Sequence, residues 1–194
     1  MKLERRALAI LRDLGVKQGQ VVLDFGCGAG TYAIPAARIV GRGKVYALDK
    51  NKGALDELMH KAELAGLCNL ERKEPNGERG IDLPDGSVDT VFLFDVLHSY
   101  YFPRTADRGK LLEEVRRICK KGARVLVYPK HMESGAREEI EQAGFRLERE
   151  YSGTIIHDAR TLEEDKIWIF AIAPPAIKNH AAEGSPQHGV GKNL

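Results

Sequence analysis

Val21-Val22-Leu23-Asp24-Phe25-Gly26-Cys27-Gly28-Ala29-Gly30 passes from an apolar run, through an acid, into three glycines at alternate positions. Val21 to Leu23 is apolar on both faces, as in a strand buried within a parallel sheet. The glycines permit positive φ angles and let a ligand lie against bare backbone. The helix after them offers unpaired N–H groups at its start. In an open α/β sheet, ligands gather at the carboxyl ends of the strands. The same loop also reads as a tight strand–helix turn with no ligand, and alone it does not separate the two.

Downstream the alternation of strand and helix repeats. Residues 31–40 read as a helix, with Thr31 placed to help cap it and Pro35 tolerable in its first turn. Gly41-Arg42-Gly43 breaks it. Lys44 to Leu48 is a second strand, ending at Asp49, and 51–65 is a helix with Leu55, Leu58, Met59, Ala62 and Ala65 at compatible spacing. A weak third strand near 69–73 precedes a loop over 75–87. Then come a strand from Asp89 to Phe94, a helix over 105–119 ended by Gly122, a strand from Arg124 to Tyr128 and a helix over 133–143. Phe145 to Tyr151 and Ile167 to Ile172 are two closing strands with no comparable helix between them, so they are expected to be antiparallel. Upstream, 4–14 reads as a helix stopped by Gly15. The pattern predicts an α/β fold: a Rossmann-like, seven-stranded, mostly parallel sheet with helices on both faces and an antiparallel last strand.

The 194 residues suit about one domain. Pro174-Pro175 closes the last strand, and the aperiodic, polar remainder divides the chain into a domain over 1–175 and a tail over 176–194, expected to be mobile. A hydrophobic fraction of 43% argues against global disorder, and a formal net charge of +2 gives no electrostatic case for a nucleic-acid partner. No apolar run is long enough for a membrane span, and nothing at the N-terminus reads as a secretory signal. Cys27, Cys68 and Cys119 are far apart, which fits reduced thiols in a cytoplasmic protein. No Cys-x-x-Cys or zinc-type spacing occurs, and His180 and His188 stand isolated in the tail, so no metal site is expected.

Asp49 falls about twenty residues after the glycine loop, where nucleotide-type folds set a carboxylate against ribose hydroxyls. It equally suits the cap of the helix that begins near Asn51. A dinucleotide fingerprint needs a glycine at position 31, and that residue is Thr31. This weighs against an NAD-dependent oxidoreductase. No Walker lysine follows Gly30 either.

On these residues the chain resembles the class I S-adenosylmethionine-dependent methyltransferases, from about Val16 to Ile172. VVLDFGCGAG at 21–30 is similar to the family's first motif and VYALDKN at 45–51 to its acidic second motif. LPDGSVDTVFLFDVLH at 83–98 and LLEEVRRICKKGARVLVYPK at 111–130 resemble its fourth- and fifth-strand regions. Within the family the chain looks most like the small-molecule branch that includes quinone-biosynthesis methyltransferases. The resemblance implies methyl transfer from S-adenosylmethionine to a small-molecule acceptor. It sets Asp24 and the backbone of Gly26, Cys27, Gly28 and Gly30 against the methionine part of the cofactor. Asp49 would hold the ribose, Lys50 would lie beside the adenine, and Asp95 by the cofactor's amino group or the transfer site. The acid that often follows the family's third strand is absent from Glu74-Pro75-Asn76-Gly77; the Asn76 carbonyl could accept the adenine N6–H instead. No Asn-Pro-Pro-Tyr-type motif occurs, which lowers nucleic acid as a substrate. A non-catalytic nucleoside-binding regulatory module is the alternative from another class.

The acceptor is expected near His98-Ser99-Tyr100-Tyr101-Phe102, the densest aromatic cluster. His98, Tyr100 and Tyr101 are the candidate acceptor-binding residues, although each also reads as core cover or a strand-end cap. No spacing identifies a base. Tyr128, Lys130, His131 and His157-Asp158 remain candidates. Cys27 reads as a small packing residue rather than a nucleophile.

Overall fold

The computed structural model describes residues 2–74 and 80–173. The strands β1 (Val21–Phe25), β2 (Lys44–Leu48), β3 (Leu70–Lys73), β4 (Val88–Phe94), β5 (Cys119–Tyr128), β6 (Phe145–His157) and β7 (Thr161–Ile172) form one sheet in the order β3-β2-β1-β4-β5-β7-β6. The first five pair in parallel, and β7 runs antiparallel to both β5 and β6.

Successive residues of a strand face opposite sides of its sheet, and both sides are apolar here. Val22, Val45, Phe92 and Leu126 pack beneath α1 (Lys2–Asp13), α2 (Ala33–Val40) and α3 (Lys52–Leu64). Leu23, Val91, Leu93, Val125 and Val127 pack beneath α4 (Thr105–Ile118) and α5 (Ala136–Gln142). Burying each such side chain contributes about 1.5–3 kcal/mol. The near-continuous hydrophobicity of these strands therefore follows from two covered faces.

Three local expectations change. Tyr32, not Thr31, stands at the N-cap of α2, and its side chain makes no capping bond. Gly122 does not end a helix: α4 stops at Ile118, and Gly122 lies inside β5 at φ 84°, where the pairing with β4 shifts register. Glycine is what such a bulge requires. The closing strands also run further than expected, to His157 and from Thr161, as one long hairpin. Ile155 and Ile156 of that extension are buried with Ile167 in the same core as α1 and α2, and this packing supports strands that reach beyond β5. The loop proposed over 75–87 is described only from residue 80, and the tail over 176–194 lies outside the described residues.

The chain leaves β1 towards β2 and β3 on one side, then returns to build β4 and β5 on the other. Residues 22–24 pair with residues 90–92, so the ends of β1 and β4 stand side by side. That reversal opens a crevice at their carboxyl ends.

Candidate active site

The crevice is a cleft of about 790 Å³, floored by the glycine loop and walled by residues 101–111 and the tip of the β6–β7 hairpin. The loop hangs from the end of β2: Gly26 and Cys27 both donate N–H bonds to the Leu48 carbonyl, at 2.8 and 3.2 Å. Gly26 holds φ 80°, and a Cβ there would stand 2.3 Å from Val96 Cγ1. Gly28 holds φ 51°, and a Cβ there would meet nothing within 4 Å. Gly28 lines the cleft, so its missing side chain leaves bare backbone open to a ligand. Gly30 does not line the cleft; it packs the loop against Leu58 of α3. Cys27 is buried, and burial with the nearby Asp24 and Asp49 pushes its thiol far up, which leaves it without nucleophilic character.

Asp24 is 3% exposed. Burial first, then repulsion from Asp49, raises its carboxyl to about 7, against the pull of the Ala33 N–H at the start of α2. A buried acid in this state would be stabilised in its charged form by a nearby cation. Asp49 has both oxygens engaged: Oδ2 accepts from Gly28 N–H and Oδ1 from Asn51 N–H, each at 2.8 Å. It does not cap α3, because Asn51 does so through its side chain and the Ala54 N–H. Asp49 instead pins the glycine loop to the end of β2. Lys50 lines the cleft with Nζ 4.5 Å from the centroid of the Tyr101 ring, joining the two rims by a cation–π contact. Asn76 lies outside the described residues.

The aromatic segment divides. Tyr101 lines the cleft. Tyr100 is 81% exposed and is not part of the lining. His98 is buried beneath the tyrosines, with its ring centroid 4.7 Å from that of Tyr101, and also stands outside the lining. Arg108 anchors the segment by a fork onto Glu139 and a 2.7 Å bond to the Phe102 carbonyl.

Asp95, just past β4, takes φ 56°, a left-handed conformation rare for a residue with a side chain. Its N–H donates to the Tyr128 carbonyl at 3.1 Å, which ties this turn to the end of β5. One carboxyl oxygen lies 2.7 Å from His131 Nδ1, and the other lies 3.4 Å from His157 Nε2. His157 ends β6 beside a three-residue turn, Asp158-Ala159-Arg160, whose first two residues take φ 50° and 56°. That is the primed geometry which suits a tight hairpin. Among the described residues, these three are the non-glycine positions at positive φ, and strain of this kind gathers at functional sites. His131 and His157 are separated from Asp95 by 36 and 62 positions in the sequence, so no local spacing reveals the cluster. The β-branched run Thr154-Ile155-Ile156 was the available signal that β6 extends to His157. Chemically, two imidazoles and a carboxylate at the edge of a cleft can accept a proton from a bound molecule or bind a cation.

Residues 22–122 match the family described as a methyltransferase domain. A stretch of 115 residues, 58% of this chain, is 32% identical to the ubiquinone/menaquinone biosynthesis C-methyltransferase UbiE of Escherichia coli. A stretch of 69 residues, 35% of this chain, is 44% identical to a probable cobalt-precorrin-6B C(15)-methyltransferase (decarboxylating) of Saccharolobus solfataricus. These matches span 43% and 34% of the two proteins, so the chain covers less than half of either curated relative. Among solved structures, a SAM-dependent methyltransferase from Aquifex aeolicus superposes with a TM-score of 0.68 and 27% identity, over 87% of this chain and 89% of that one.

Proposed function

The chain belongs to the class I S-adenosylmethionine-dependent methyltransferases, and from that membership we propose that it transfers the methyl group of S-adenosylmethionine to a small-molecule acceptor. The observation that carries the cofactor is the acidic pair Asp24 and Asp49 beside an open glycine backbone. Asp24, buried with its carboxyl raised to about 7, answers the ammonium of the methionine part. Asp49 keeps lone pairs free beyond its two backbone bonds and suits the ribose diol. The backbone of Gly26, Cys27 and Gly28 cradles the methionine part, with Gly30 supporting the loop from behind. Lys50 flanks the adenine, with Asn76 as a further adenine contact.

When bound, S-adenosylmethionine supplies a methyl group on a sulfonium, open to in-line displacement. The residues of the chain align the acceptor and exclude water, an orientation effect of about 7–11 kcal/mol in favourable cases. Tyr101 offers the acceptor an apolar wall, with Tyr100 at the outer rim and His98 packed behind as support. Asp95 and His157 line the same space. The names of the curated relatives attach to small-molecule methylation, which supports an acceptor of that class.

Calorimetry with S-adenosylhomocysteine and NAD tests the cofactor, and radiolabelled S-adenosylmethionine with a metabolite extract tests turnover. Binding of the demethylated cofactor without NAD binding, and transfer of label to a small molecule, are expected. Tight NAD binding refutes the cofactor. Cofactor binding with no label transferred to any acceptor favours the regulatory module.

A further inference from the structure

We propose that Asp95, His131 and His157 form a site for a divalent transition-metal ion at the acceptor edge of the cleft. The location rests on the reading of the cleft above, but the ligand set rests on its own geometry. One donor atom of each residue lies within 4.8 Å of those of the other two. Ion–ligand distances of about 2.0–2.2 Å place the donors of one ion roughly 3–3.5 Å apart. The 3.4 Å between Asp95 and His157 Nε2 already meets this, and the 2.7 Å contact with His131 must open slightly. His131 is half exposed, so its ring has room to make that move.

The surroundings orient the ligands. His157 Nε2 is buried and has no hydrogen-bond partner among the described residues. Its other ring nitrogen, Nδ1, lies 2.9 Å from Glu163 Oε1, although their alignment is too oblique for a good hydrogen bond. Lys130 holds Glu163 at 2.5 Å and Asp165 at 3.3 Å, and Tyr128 donates to Asp165 at 3.1 Å. Metal-ligating histidines usually donate their other ring N–H to a carboxylate, and Glu163 stands within reach of that bond once the ring turns to align with it. Asp158 stands 3.3 Å from His157 Nε2 and adds negative charge. Asp95, Asp158, Glu163 and Asp165 bring four carboxylates to this edge, of which Lys130 pairs with Glu163 and Asp165, so the edge favours a positive guest. Two imidazoles and a carboxylate suit zinc, iron, cobalt or nickel rather than magnesium or calcium. Three protein ligands leave positions open, as catalytic metal sites do. Because Asp95 and His157 line the cleft, those positions border the space proposed for the acceptor, and an acceptor oxygen is the group that would fill one.

The test is titration of the chelator-treated full chain with cobalt(II), followed by visible d–d absorption and calorimetry. Saturable binding at a single site is expected. His131→Ala should abolish the spectrum, and Glu163→Gln should weaken binding by about 10–100-fold. Replacing both His180 and His188 by Ala should leave it intact. Retained S-adenosylhomocysteine binding by His131→Ala shows that the variant is folded, so that loss of the cobalt spectrum there is loss of a ligand. Absence of saturable binding, an unaltered spectrum in His131→Ala, or loss of binding in the His180 and His188 double variant overturns the site. If cobalt binds but the demethylated cofactor does not, the methyltransferase reading fails and the metal site stands. If the cofactor binds but cobalt does not, the reverse holds.

Discussion

Replacing Asp24 by Asn should make the ligand-free protein more stable while it removes cofactor binding. Burial and the proximity of Asp49 raise the Asp24 carboxyl to about 7 from an ordinary 3.8. At about 1.36 kcal/mol for each pH unit, holding it ionised in the folded, ligand-free protein costs about 4 kcal/mol. Below about pH 4 the group is protonated in both the folded and unfolded chain, and the cost is absent. Between about 4 and 7 the folded protein keeps a proton that the unfolded chain releases, so stability falls as pH rises. Above about 7 the whole cost is present. Asn removes the charge at nearly constant shape but brings an amide that needs partners, so a net gain of about 1–3 kcal/mol is expected at pH 8. The gain should shrink at pH 5, where the charge costs only about 1.5 kcal/mol. Urea unfolding of both proteins at the two pH values measures this. Calorimetry with S-adenosylhomocysteine should show wild-type affinity falling below pH 7, by up to about tenfold per pH unit, with proton release on binding. An equal or lower stability of the variant at pH 8, or an undiminished affinity for S-adenosylhomocysteine, refutes the assignment of Asp24 as the acid that meets the ligand's cation.

Asp49→Ala should weaken S-adenosylhomocysteine binding by about 1.5–3 kcal/mol, the range for hydrogen bonds to a charged group; calorimetry reads it directly. Gly26→Ala should destabilise the fold by about 1–3 kcal/mol, because the new methyl meets Val96 at 2.3 Å and φ stays at 80°. A shift in the urea midpoint without a change in its slope would confirm a folded-state effect. Tyr101→Ala should lower kcat/KM for methyl transfer far more than cofactor affinity, since it removes an acceptor wall and the Lys50 contact. Equal losses in both would place Tyr101 on the cofactor instead.

The parallel half of the sheet was legible because its signals are local. Val21 to Leu23 and Val91 to Phe94 are apolar on both faces, and glycines or short polar segments punctuate the helices between strands. The cofactor side of the cleft follows from the same logic, since Asp24, Gly26 and Gly28 share one turn and Asp49 sits at the next strand end. Gly122 misled because a glycine after a helix and a glycine in a bulge look alike until strand pairing is known. The hairpin was cut short because Glu163-Glu164-Asp165-Lys166 carries no apolar alternation; its pairing depends on partners across the turn. The acceptor edge was the least legible part. His98 and Tyr100 stand beside Tyr101 in sequence, yet one is buried and the other faces solvent. Asp95, His131 and His157 come together only because the ends of β4, β5 and β6 meet.

That meeting depends on a side chain from the cofactor half. Tyr32 stands two residues after Gly30, at the start of α2, and its hydroxyl bonds to both the carbonyl and the N–H of Ile156 at 3.1 Å. Arg6 of α1 forks onto the Thr154 carbonyl nearby, at 2.8 and 2.6 Å. The next residue after Ile156 is His157. The position of that histidine is therefore set by the helix whose N-terminus meets Asp24, rather than by a free hairpin tip. The opposite wall is held separately, through Arg108 and Glu139 on α4 and α5. Two walls anchored to opposite faces of the sheet can fix the line between a methyl donor and its acceptor. An in-line displacement gains most from that fixed line, because its leaving group is already good and alignment is what the protein has to supply.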